Sequence, residues 1–146
     1  VGWIYETVLE KEKEIGVTIR PSAGVNACGA AQIQVWARIL EQPPASENSF
    51  VEKLAKTMGQ THRPLARGTM FDFSSETISL MDQTTGVLTT LRIRKMWIPF
   101  MVKTLFGIKG NRVVCSVSVM GPERNSLLYH VLCLGIFETI KISSYN

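Results

Sequence analysis

The sequence predicts an α+β domain in which helices come first and an antiparallel sheet follows. Three observations predict it. Helix-forming residues with apolar side chains three and four positions apart recur through the first sixty residues. The stretch RVVCSVSVM, Arg112 to Met120, alternates Val113, Cys115, Val117 and Val119 with small polar residues, and a Gly-Pro-Glu-Arg-Asn turn separates it from a further apolar run. Helices segregated to one side of an antiparallel sheet are the expected layers.

Taken in order, Trp3 to Glu14 sets Ile4, Val8 and Leu9 near helical spacing beside a charged EKEKE face, with Gly16 placed to stop a surface helix. Val17 to Ile19 is extended, and Pro21 and Gly24 mark a loop. From Cys28 to Leu40 a second, central helix is expected, with Ile33, Trp36, Ala37 and Leu40 on its buried face. Glu41 to Ser49 (EQPPASENS) reads as a loop between helices. A third helix runs from Phe50 to Met58 after the capping candidates Ser46, Asn48 and Ser49, buries Phe50, Leu54 and Met58, and ends at Gly59.

Between 60 and 110, Thr77 to Met81 and Trp97 to Phe106 fit helix or strand, while Val87 to Ile93 has the Thr and aliphatic content of a strand. Leu127 to Phe137 and the alternation near Ile140 and Ile142 are expected to complete the sheet after strand 112–120.

The chain has 146 residues, 45% of them apolar and 19% charged, enough for one domain with a core of its own. That composition excludes disordered, collagen-like and coiled-coil classes. The longest nearly uncharged apolar stretch, Leu127 to Phe137, falls far short of the ~20 residues of a membrane span, so a soluble protein is expected. A net charge of +4 leans towards acidic partners. The basic residues are scattered, only Arg92, Arg94 and Lys95 cluster, and nucleic acid is not an expected partner. The sequence opens at Val1 without Met or an apolar leader and reads as a processed or excised domain.

Cys28, Cys115 and Cys133 form neither a disulfide framework nor a CxxC pair, and with only His62 and His130 beside them no metal site or cofactor is expected. Cys28 stands where a Gly- and Pro-bearing loop enters the expected central helix. A thiol there has a lowered pKa, because the unpaired N–H groups of a helix start favour the thiolate that must attack. His130 heads the apolar run YHVLCLGIF, where a buried imidazole is costly unless paired. A histidine facing a cysteine, with a third polar group to orient the ring, is the arrangement that activates a thiolate. Asn146 lies 16 residues beyond His130, a separation that lets the chain fold back beside it.

These segments, NACGAAQIQVWARIL, YHVLCLGIF and the terminal Asn, resemble the papain-like cysteine peptidases, above all the compact bacteriocin-leader-peptidase type. The resemblance covers Asn26 to Asn146. It implies a papain-like fold, with Cys28 as nucleophile, His130 as general base and Asn146 orienting the base. The family places a Gln in the oxyanion hole about six residues before the nucleophile. Here that position is Ser22, and Asn26 is the nearest amide-bearing alternative. Gly29-Ala30-Ala31 also departs from the family's usual surroundings of the nucleophile, and transglutaminase-like domains share the Cys, His, acid order.

The expected function is therefore a cysteine hydrolase or acyltransferase acting on a protein or peptide substrate. The alternative is a catalytically inactive interaction domain that binds a protein partner. Other residues read more plainly: His62 as an exposed loop residue, Cys115 and Cys133 as core, Arg92 to Lys95 as a solvated face, Trp36 and Trp97 as core. Asp72 and Asp82 are next in line for the third role should Asn146 not fill it.

Overall fold

The structure, a computed structural model, describes residues 3–21, 32–62, 70–81, 84–95, 98–110 and 112–142. Its chain order is β1 (Trp3–Lys11), β2 (Glu14–Pro21), β3 (Gln32–Ile39), α1 (Glu47–His62), β4 (Met70–Ser79), β5 (Thr85–Lys95), β6 (Ile98–Lys109), β7 (Val113–Pro122), a 3-10 turn (Glu123–Asn125) and α2 (Ser126–Thr139). The seven strands form one antiparallel sheet in the order β1-β2-β3-β7-β6-β5-β4.

This is a largely β fold, which overturns the expected papain-like α+β arrangement of N-terminal helices packed on a C-terminal sheet. The expected first helix is the β1–β2 hairpin, whose turn carries the EKEKE charges. Those residues sit at a sheet edge, where charge discourages pairing with another chain. The expected central helix is β3. Its true period is two: Ile33, Val35, Ala37 and Ile39 face one way, and Gln32, Gln34, Trp36 and Arg38 the other. Leu127 to Phe137 lies within α2 rather than in a strand, and residues 140–142 add no strand. The strands expected at 87–93 and 112–120 are present as β5 and β7.

The helix expected at 50–58 is present as α1, although it starts earlier and runs past Gly59. Ser46 precedes it as a cap, with the Ser49 N–H donating to Ser46 Oγ at 3.4 Å and the Phe50 N–H to the Ser46 carbonyl at 3.1 Å.

One helix packs on each face. Alternation along the strands divides neighbouring residues between two cores: Phe106, Ile108, Val114 and Val87 meet Val51 and Ala55 of α1. Leu105, Cys115, Val117 and Leu88 instead meet Tyr129, Cys133 and Phe137 of α2. Those three residues, spaced four apart, are the fully buried line of α2. Tyr129 donates its hydroxyl to the Pro122 carbonyl at 2.8 Å, and Lys109 donates to the Ile140 carbonyl at 2.7 Å just past the helix end, where a cation suits the helix dipole. The β6–β7 turn needs a left-handed residue, and Gly110 supplies it with φ of +59°.

Candidate functional site

Of the sequence-predicted triad, Cys28 and Asn146 lie outside the described residues, as do Asn26 and Ser22. His130 is described: it sits half-buried on α2, not at the head of a strand. His130 is therefore helix-borne, which corrects the strand placement on which the triad expectation rests. Asp72 forms an ion pair with Arg92 at 3.2 Å, and Arg92 also reaches Glu123 at 3.2 Å; the exposed Arg92 belongs to a solvated surface. Asp82 and Trp97 lie outside the described residues, and His62 closes α1.

Cys115 and Cys133 are fully buried, as core residues should be. They are not strand neighbours. Cys133 hangs from α2, with its Sγ donating towards the Lys103 and Val117 carbonyls at 3.5 and 3.6 Å. Burial pushes the Cys133 thiol up to about 12 and the Cys115 thiol to about 11, so both stay protonated and neither offers a nucleophile. Among the described residues no group of three or more His, Cys, Asp or Glu is placed to hold a metal, and no helix is long and apolar enough to cross a membrane.

A different constellation lies on the face that carries α1. Following the strand register from edge to edge, Glu6, Thr18, Gln34, Ser118, Thr104, Thr89 and Ser75 are successive cross-strand partners, one from each of the seven strands. Directly paired residues share a face, so this is one continuous polar row across the sheet. Within it Thr104 and Ser118 share a hydroxyl–hydroxyl hydrogen bond at 2.8 Å, and Thr89 donates to the Thr104 carbonyl at 3.3 Å. Thr18 and Thr89 are buried. Gln34, Ser118 and Thr104 reach solvent at the centre, and Glu6 and Ser75 at the two edges.

The row is bordered on both sides by apolar partners. On one side run Met120, Val102, Leu91 and Phe73; on the other, Trp36 and Phe106 flank Ser116. Beside α1 the row opens into a cavity of about 430 Å³, lined by Gln34, Ser118, Thr104, Ser116, Phe106, Trp36, Leu54, Glu14 and Arg38. Trp36 is half-buried rather than core. Its indole N–H donates to Glu14 Oε1 at 2.7 Å, which fixes the ring as one wall and holds the carboxylate at the mouth. Arg38 stands across from Glu14 in the register, so the mouth carries both signs of charge. Two other recesses, of about 410 and 520 Å³, surround the charged β1–β2 turn.

Sequence reasoning misses this site, because a helical fit over Cys28 to Leu40 hides the strand alternation of Gln32 to Ile39. The signal was present in the small polar residues alternating along 112–120, two of which, Ser116 and Ser118, line the cavity floor.

No protein-family model matches the chain, and no curated protein matches it. Among solved structures it is similar to a Pseudomonas aeruginosa protein, PA94, a proposed regulator of unknown function, with a TM-score of 0.52 at 11% identity over 94% of this chain and 88% of that one. That likeness is one of fold.

Proposed function

We propose that this chain is a non-catalytic binding domain that holds an extended polypeptide segment of a partner in the groove beside α1. The observation that carries the reading is the polar row. Side chains on a helix-covered sheet face are ordinarily apolar; here the buried hydroxyls are paired within the chain, while Gln34, Ser118 and Thr104 reach solvent with hydrogen-bonding capacity left for a ligand. Gln34, Ser118 and Thr104, the members that line the cavity, stand on three adjacent strands about 4.8 Å apart and span roughly 10 Å, the length of about three extended residues. Hydroxyls and the Gln34 amide both donate and accept, matching peptide groups that carry one donor and one acceptor each. The half-buried Met120, Val102 and Phe73 on one side, and Trp36 on the other, offer apolar surface to neighbouring side chains.

The hydrolase reading drew its support from a papain-like arrangement that the largely β fold does not contain. The binding reading needs no nucleophile. It is tested with an immobilised library of nonapeptides, probed with wild-type chain and with Thr104→Val/Ser118→Ala. Removing both members of the 2.8 Å pair leaves neither hydroxyl stranded, so the double variant should melt close to wild type. Wild type should select a set of peptides that the double variant binds at least about tenfold more weakly, the loss expected for one or two hydrogen bonds. A Cys28→Ala chain should bind like wild type. Equal binding by the double variant, or no selected peptide, would sink the proposal.

A further inference from the structure

The helix α2 has a second face that the described residues leave open. Tyr129, Cys133 and Phe137 bury one side, yet Leu127 is 80% exposed and Val131 59%, and Glu138 carries the helix's one formal charge. A helix apolar all round normally has something packed on both sides. Gly135 continues the line of Leu127 and Val131, four residues apart. A β-carbon there would meet nothing within 4 Å. Glycine inside a helix is destabilising relative to alanine, and nothing among the described residues requires it at this position. A second backbone approaching closely from outside would require it.

We infer that α2 packs against α2 of a second copy of this chain, antiparallel about a two-fold axis at Val131. The sequence of the stripe is self-complementary about that residue. Leu127 and Gly135 each stand four positions from Val131, and Glu138 and Arg124, the latter in the 3-10 turn that leads into the helix, each stand seven. In an antiparallel pair, Leu127 of one protomer therefore fills the space over Gly135 of its partner, and Val131 meets Val131. The exposed Arg124 faces Glu138, and the reverse contacts follow by symmetry. The two helix dipoles run in opposite directions, as antiparallel packing favours. Glu138 already accepts from the Met81 N–H through Oε1 at 3.1 Å, leaving its second oxygen for the arginine. Shape, charge and symmetry together select a second copy over an unrelated partner, which would need no such palindrome.

Sedimentation equilibrium across micromolar concentrations tests this on the whole chain. Wild type should associate to twice 16.3 kDa, and Val131→Glu, at an exposed position that the fold tolerates, should stay monomeric with unchanged circular dichroism. Arg124→Glu should raise the dimer dissociation constant about tenfold, because each change acts at two symmetric contacts. Combining it with Glu138→Lys should recover most of that loss. Val131→Cys should be joined to its partner by a short bismaleimide, in a yield well above that of wild type. A wild-type chain monomeric throughout overturns the inference, as does a Val131→Glu dimer. Monomeric wild type that sediments with anionic phospholipid vesicles would overturn it and assign the face to lipid.

Discussion

Phe137 occupies the space that a side chain at position 107 would need: its Cζ lies 2.5 Å from where a β-carbon on residue 107 would stand. Gly107 is thus the socket into which α2 locks on β6. Gly107→Ala should lower stability by about 1–3 kcal/mol, as overpacking does. Pairing it with Phe137→Leu should return part of that loss, so the two effects should not add in urea melts. Simple additivity would show that the ring and the glycine are not coupled.

The buried thiols give stability a dependence on alkaline pH. Because folding raises the Cys133 pKa from 9.0 to about 12, the folded chain keeps a proton that the unfolded chain gives up above pH 9. Stability is therefore full below pH 9 and falls as pH rises towards 12, by about 1.4 kcal/mol per pH unit for this group. Denaturant melts at pH 8 and pH 10.5 should show a smaller loss for Cys133→Ala than for wild type. Identical losses would contradict a buried, protonated thiol.

Arg112 ties the loop after β3 to the start of β7. Its Nε and Nη2 donate to the Leu40 carbonyl at 3.1 and 2.9 Å, and Nη2 also donates to the Glu41 carbonyl at 2.8 Å. Arg112→Ala should cost about 1–2 kcal/mol, and Arg112→Lys should restore little, since an ammonium lacks the planar fork that spans both carbonyls. Thermal melts of the three chains check the order.

Ser46 caps α1 at the wall of the groove. Ser46→Ala should lower stability by about 1 kcal/mol, and Ser46→Asp should match or exceed wild type, because a carboxylate accepts the same N–H groups and suits the positive helix end. A Ser46→Asp chain that melts like Ser46→Ala would rule out the cap.

What the sequence made legible was what repeats with one period. The alternation of Val113 to Val119 admits only a strand, and Phe50, Leu54 and their capping serines admit only a helix. In β3 two periods overlap: Ile33, Ala37 and Leu40 fit a helix as well as Ile33, Val35, Ala37 and Ile39 fit a strand. Pairing with β2 and β7 decides between them, and that lies beyond local pattern. In α2 the run from Leu127 to Phe137 is apolar on every side and has no period to read. The candidate site was hidden for a related reason. Its polar row is assembled from one residue per strand, so no segment of the chain displays it.

The sheet order has a consequence for how the chain assembles. Strands β1 to β3 and β4 to β7 are two meanders, each built from neighbouring antiparallel strands, and the seam between β3 and β7 joins Gln32–Ile39 to Val113–Met120. Successive strands within each meander are joined over ten residues or fewer, whereas the seam must bring Gln32 to Met120 across α1 and three strands, at a greater loss of chain entropy. The two meanders should therefore zip first and the seam last, giving slow folding set by contact order. The groove, whose floor pairs Gln34 of one meander with Ser118 of the other, comes into being only in that final step.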